Sequence, residues 1–129
     1  VIRAVLAGMV LAGGATGALA QDVSVAADGA LLRAVDKVTG QVEDLEIAAG
    51  GSAQMKRLTI RMDECRYPTE NPSGDAFAYL QIEDANRDGP VFKGWMIASS
   101  PALNPLDHPR YDVWVLRCKT RSATVVPEN

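Results

Sequence analysis

The sequence predicts an all-β fold, a small sandwich or partly open barrel of about six mainly antiparallel strands with one disulfide. Three observations predict it. Apolar and polar residues alternate in short runs, most cleanly where Leu58, Ile60 and Met62 face one way and Arg57, Thr59, Arg61 and Asp63 the other. Gly-, Pro- and Asn-containing breakers separate the runs at regular intervals. The chain has two cysteines, Cys65 and Cys118, and so one possible intramolecular pairing.

The first residues read VIRAVLAGMVLAGGATGALAQD. Arg3 gives a thin positive start, Ala4 to Ala12 an apolar run, and Ala18-Leu19-Ala20 a small-x-small cleavage signal, which together predict a secretory signal peptide over residues 1–20. A membrane anchor is the rival reading, but about 20 apolar residues are needed to span ~30 Å of hydrocarbon. This run is shorter and meets Gly13, Gly14 and Gly17. No cysteine lies in or just after it to carry a lipid, and valine at position 1 suggests an alternative start codon or a truncated start. Once the leader is removed no membrane span is expected, so the protein is membrane-proximal at most.

What remains is of single-domain size and acidic, from a whole-chain net charge of -3. Such a balance gives no electrostatic reason to bind nucleic acid or anionic lipid. Charges of both signs are interspersed, as on an ordinary solvated surface. Export places Cys65 and Cys118 where thiols oxidise, and closing so long a loop can stabilise by roughly 4 kcal/mol. The rival uses are a redox pair, which is usually Cys-x-x-Cys, or two metal ligands.

Residues 21–30 lack bulky apolar side chains and are expected to form a flexible N-terminus. The single β domain follows over 31–120, with 121–129 as a C-terminal tail. LLRAVDKV and QVEDLEI flank Thr39-Gly40 and predict an antiparallel hairpin, with Asp36 and Lys37 as solvated ends. After the breaker Ala48 to Ser52 comes the strand from Arg57, on which Cys65 falls in the outward phase. A buried bridge therefore requires a bulge near Asp63 or Glu64. Tyr67 to Asp75 is a proline-interrupted loop, and AFAYLQIE the next strand. Asp84, Asn86 and Asp88 alternate as in a calcium loop with Gly89 sixth, but Trp95 stands where the twelfth-position glutamate belongs. The segment is better read as a turn.

Val91 to Cys118 organises the rest. Val91 to Ala98 and Tyr111 to Cys118 are apolar on both faces, as central strands are, and Gly94 marks a bulge or a close approach. All seven aromatic residues lie between Tyr67 and Trp114, so this half is expected to supply most of the core. Between the two runs, Ser100-Pro101 begins a single helical turn through Asn104, after which Pro105 and Pro109 keep the chain extended. Loops of this length are often functional.

GWMIASSPALNPLDHPRYDVWVLRC, with AVDKVTGQVEDLEI and CRYPTENPSGDAFAYLQI, resembles the bacterial envelope family called domain of unknown function 2155. The likeness covers nearly all of the chain after the leader. It implies export to the periplasm, an alphaproteobacterial setting and no particular activity. It also implies a gene neighbourhood near an accessory factor of the respiratory NADH dehydrogenase, and with that an alternative role as an accessory protein of an inner-membrane respiratory complex.

Asp107-His108 invites a hydrolytic or metal-dependent reading, with the imidazole as general base and Ser99 or Ser100 as nucleophile. Neither serine sits in a Gly-x-Ser-x-Gly elbow, and the carboxylate partner is expected to be Asp112 or Asp75. The plainer reading has His108 bonding a loop carbonyl and Asp107 or Asp112 holding Arg110. A zinc site from Cys65, Cys118 and His108 needs reduced thiols and a fourth ligand. Trp95, Met96 and Tyr111 beside Pro101 can form an apolar patch. The sequence thus points to a non-catalytic module, without metal or cofactor, binding a protein or envelope partner through the 99–111 loop.

Overall fold

The computed structural model describes residues 24–120; the expected leader at 1–20, residues 21–23 and the expected tail at 121–129 lie outside the described residues. The chain forms β1 (Ser24–Ala26), β2 (Gly29–Asp36), β3 (Val42–Ala48), β4 (Ser52–Met55), β5 (Leu58–Pro68), β6 (Phe77–Asp84), β7 (Pro90–Ile97), a 3-10 turn at Pro101–Leu103, and β8 (Tyr111–Lys119). Every pairing is antiparallel. One sheet runs β1-β5-β6-β7 with β4 also on β5, and the other runs β3-β2-β8. Of the two all-β architectures expected, a sandwich or a partly open barrel, the fold is the sandwich, with eight strands rather than about six among the described residues.

The two extra strands are β1 and β4, which share one edge of β5. Part of the stretch expected to be flexible, Ser24–Ala26, is thus paired, and Gly29 and Ala30 already belong to β2. A ladder is made by the backbone, so the shortage of bulky side chains hid it. Arg66 adds a side-chain tie, donating to Ser24 Oγ at 2.9 Å and to the Ser24 carbonyl at 3.0 Å.

The core lies between the sheets. Ala30, Leu32, Ala34 and Ile47 face Leu58, Ile60, Met62, Ala78, Leu80 and Ile82, closed by Tyr111, Val113 and Val115. The β2–β3 hairpin turns at Gly40 with φ 78°, as its sequence predicts. In β5 the register shifts between Met62 and Glu64, leaving Asp63 as the extra residue. This is the bulge that Cys65 requires, and it returns Cys65 to the buried face. A second bulge was not anticipated: β8 slips against β2 so that Leu31 faces Arg117 but Leu32 faces Val115. Leu116 is the extra residue, and Cys118 turns inward with Tyr111, Val113 and Val115. The cysteines meet between the sheets as a disulfide with Cα atoms 5.7 Å apart.

Two expectations about the aromatic half are corrected. Of the seven rings only Phe92 and Tyr111 are core residues; Tyr67 packs against the core, Phe77, Tyr79 and Trp114 are half-buried, and Trp95 is 39 % exposed. And β7 and β8 are not central strands but sheet edges. Their outward apolar residues made both faces read as covered. Both strands start at the same end of the sandwich, so the chain must return the length of a strand to join them. That return, rather than a hairpin, accounts for the long connection after β7.

Replacing Cys65 and Cys118 by alanine is expected to lower the unfolding free energy by about 4 kcal/mol, a large share of a typical ~5 to 15 kcal/mol total. Urea denaturation of the double variant measures this. Wild-type protein should show no titratable thiol and should change gel mobility on reduction; two free thiols in the native protein would refute the bridge.

Candidate functional site

The site expected at residues 99–111 is built on two buried carboxylates that sequence reading overlooked. Asp36 continues the inward phase of Ala30, Leu32 and Ala34, and Asp84 that of Ala78, Leu80 and Ile82; both are fully or almost fully buried at the same end of the sandwich. An aspartate on the apolar phase just before a turn was the available signal. Asp36 is no solvated hairpin end. Its Oδ1 accepts the amides of Val38 at 3.0 Å and Thr39 at 3.2 Å, while Oδ2 accepts Arg110 Nη2 at 2.9 Å, Arg110 Nε at 3.2 Å and Lys56 Nζ. Arg110, then Lys56, hold the Asp36 carboxyl far below the usual carboxylate range, and Asp36 in turn raises Arg110.

Asp84 is the second anchor. Its Oδ1 accepts the Asn86 amide at 2.9 Å and its Oδ2 faces His108 Nε2 at 2.8 Å, with Arg57 at 3.4 Å. The Asn86 amide, then His108, keep the Asp84 carboxyl below its ordinary value. The calcium-loop residue Asp84 therefore faces the protein's own donors. His108 Nδ1 accepts two backbone amides, Arg110 at 3.0 Å and Tyr111 at 3.1 Å, so the ring proton belongs on Nε2 and points at Asp84. The Tyr111 ring fills the space between, with the Arg57 and Arg110 guanidinium carbons 5.6 and 5.3 Å from its centroid. Lys56 holds its position in the left-handed region, at φ 50°, where glycine fits more easily. Its four-carbon stem is what carries the ammonium to Asp36.

From this cluster the connection runs back along the open side of the sandwich. At the β7 end, Asp75 accepts the Ser99 amide at 3.0 Å, the Ser99 hydroxyl at 2.6 Å and the Ala76 amide at 2.9 Å. Partial burial opposes ionisation there, but these bonds outweigh it and the Asp75 carboxyl titrates below its ordinary value. Midway, Asn104 Nδ2 donates to the Trp95 carbonyl at 3.0 Å. A Cβ on Gly94 would lie 3.0 Å from that same nitrogen, so the glycine marks a close approach, as its place in the strand suggested. Leu106 then inserts into the core, and Lys37 Nζ donates to the His108 carbonyl at 2.7 Å. The helical turn expected after Ser100 is present as a 3-10 turn at Pro101–Leu103, but Ser100 makes no side-chain cap bond; the turn stands outward with Leu103 73 % exposed.

The expected binding residues therefore divide. Trp95, Ser99, Pro101 and Asp107 reach the surface, Ser100 and Asp112 are half-exposed, and Arg110 is committed to Asp36. Met96, His108 and Tyr111 are buried and cannot meet a partner directly. His108 pairs with Asp84 instead of Asp112 or Asp75, and Arg110 with Asp36 instead of Asp107 or Asp112. The Ser99 hydroxyl is spent on Asp75, and both cysteines are oxidised, which removes them from the zinc reading. Among the described residues no group of three or more His, Cys, Asp or Glu could hold a metal ion.

A family model described as an uncharacterized protein conserved in bacteria, DUF2155, matches residues 30–118. A Rickettsia prowazekii protein described as uncharacterized protein RP359 is 25 % identical over 88 residues, 66 % of this chain. The chain spans 57 % of that relative's length. No solved structure matches significantly.

Because Asp36 and Asp84 titrate below their unfolded value of about 3.9, the stability they contribute is complete above that pH and lost as pH falls through their folded values. The melting temperature is expected to be flat from about pH 5 upward and to drop below about pH 4. Asp36→Asn should melt lower at neutral pH and decline less steeply in acid. Thermal melts of both proteins across this range check it; parallel acid declines would count against Asp36.

Proposed function

The chain belongs to the DUF2155 family of bacterial proteins, and we propose that it is a non-catalytic periplasmic β module that binds a protein or envelope component through the 99–111 loop. The observation that carries this reading is an apolar tip on a fixed base. Leu103 stands 73 % exposed at the crest of the turn. The two feet of the loop are held by Asp75 and by the Asp84–His108 pair, and its middle by Asn104 and Leu106. A segment ordered before it meets a partner loses little conformational entropy on binding. Trp95, tied to the loop through its carbonyl, adds an exposed aromatic anchor of the type that dominates interface energetics.

The geometry of His108 argues against the hydrolytic alternative. Its ring is buried, one nitrogen is saturated by two amides, and the other faces a carboxylate. No lone pair is directed at solvent. The buried disulfide supports the periplasmic placement, because such bridges form where thiols are oxidised.

A photo-crosslinking amino acid at Leu103, in cells producing the full chain, is expected to give a discrete adduct that the same probe at Val42, an exposed apolar site on β3, does not give. Trp95→Ala should reduce that adduct about tenfold, as for an interface aromatic worth ~1 to 2 kcal/mol. Identical adducts from both positions, or none from Leu103, would remove the loop as the binding element.

A further inference from the structure

The outward face of the β5-β6-β7 sheet carries two shallow hollows that share the Trp95 ring as a wall. One, of about 360 Å³, is lined by Asp63, Glu64, Tyr79 and Trp95. The other, of about 460 Å³, is lined by Ser24, Arg66, Pro68, Phe77 and Trp95. In the first, the Tyr79 and Trp95 rings stand edge-to-face, centroids 5.3 Å apart and planes at 74°. Tyr79 lies across from Trp95 on one side and Glu64 on the other, so the two aromatic residues and the acidic one share one cross-strand row. Asp63 is present because it is the bulge residue. The bulge that turns Cys65 inward also brings two consecutive acidic residues to this row.

We propose that the first hollow takes the arginine or lysine side chain of an extended polypeptide partner, and that the second takes an apolar side chain two residues away along that peptide. This rests on the binding-module reading and names the partner's chemistry. An aromatic face attracts a cation through its quadrupole, and two carboxylates accept hydrogen bonds, which a guanidinium or primary ammonium supplies and a quaternary ammonium does not. Neither carboxylate is buried or tightly neutralised: Asp63 accepts an amide from Gln81 at 3.1 Å, and Glu64 lies 3.7 Å from Arg66. Arg61 and Lys93 flank Gln81 in the next row and do not line the hollow. The second hollow centres on the row of Arg66 and Phe77, two residues further along the strands. That step is about 6.5 to 7 Å, the spacing of alternate side chains on an extended peptide. The chain's net charge of -3 favours approach by a basic partner.

The test is an NMR titration of the disulfide-bonded, nitrogen-15-labelled protein, following the Trp95 indole N–H. Acetyl-Arg-Ala-Leu-amide should shift it saturably, and acetyl-Glu-Ala-Leu-amide should bind at least about threefold more weakly, the discrimination two exposed carboxylates can supply. The Asp63→Asn/Glu64→Gln variant should bring the two peptides to within about a factor of two of each other. Equal response to both peptides in the wild type, or choline chloride saturating the signal as tightly as the arginine peptide, would overturn the assignment; so would silence towards all three. Crosslinking from Leu103 uses neither carboxylate, so its failure bears on the loop and this titration's failure bears on the hollow.

Discussion

Cys65 and Cys118 can meet only because each of their strands contains one residue too many. Alternation alone directs Cys65 away from Leu58, Ile60 and Met62, and Cys118 away from Tyr111, Val113 and Val115. One extra residue, Asp63 in β5 and Leu116 in β8, reverses each phase. A bulge leaves a residue unpaired and bends its strand. Two bulges on facing strands of different sheets are therefore a joint cost that is useful only if both sulfurs turn inward. The resulting bond crosses between the sheets and fixes them at one end.

At the other end no covalent link is present, and the same task falls to charge. Asp36 comes from the three-stranded sheet and Asp84 from the five-stranded one, while their partners come from elsewhere: Lys56 and Arg57 from the β4–β5 turn, His108 and Arg110 from the long connection. Each carboxylate is buried, and removing its donors would leave an uncompensated buried charge, which is far costlier than never having placed one there. The arrangement thus stabilises less than its short distances suggest but specifies strongly. It admits only the conformation in which four separate segments arrive together.

Much of this was legible and some was not, for physical reasons. Period-two alternation and turn residues are local signals, Gly40 and the turn at Pro101 among them, while the bulge at Asp63 followed from requiring Cys65 to reach a buried bridge. The bulge at Leu116 left no such mark, because Trp114, Leu116 and Cys118 form an apolar phase as convincing as the true one. The placement of β7 and β8 at the centre failed for a related reason. An edge strand with Trp95 and Ile97 on its outer face has the composition of a covered strand, and only tertiary pairing tells them apart. In the candidate site, the helical turn followed from Ser100-Pro101, but Leu103 at its exposed crest carried no signal of its own, and the partners of His108 and Arg110 lie 24 and 74 residues away, where no spacing rule reaches them.

The position of the long connection ties these points together. Because β7 and β8 start at the same end, the chain between them must travel from the disulfide end back to the carboxylate end, roughly 20 Å at strand spacing. It lies along the outer edge of β7, where Asn104 supplies the hydrogen bond to Trp95 that a neighbouring strand would otherwise make. An open edge invites pairing with another chain, and this segment occupies it with a side chain instead of a ladder. The edge is covered at that point while the turn at Pro101–Leu103 projects from it. The same residues that protect the sheet therefore hold out the apolar tip, and its rigidity is inherited from anchors at both ends of the sandwich.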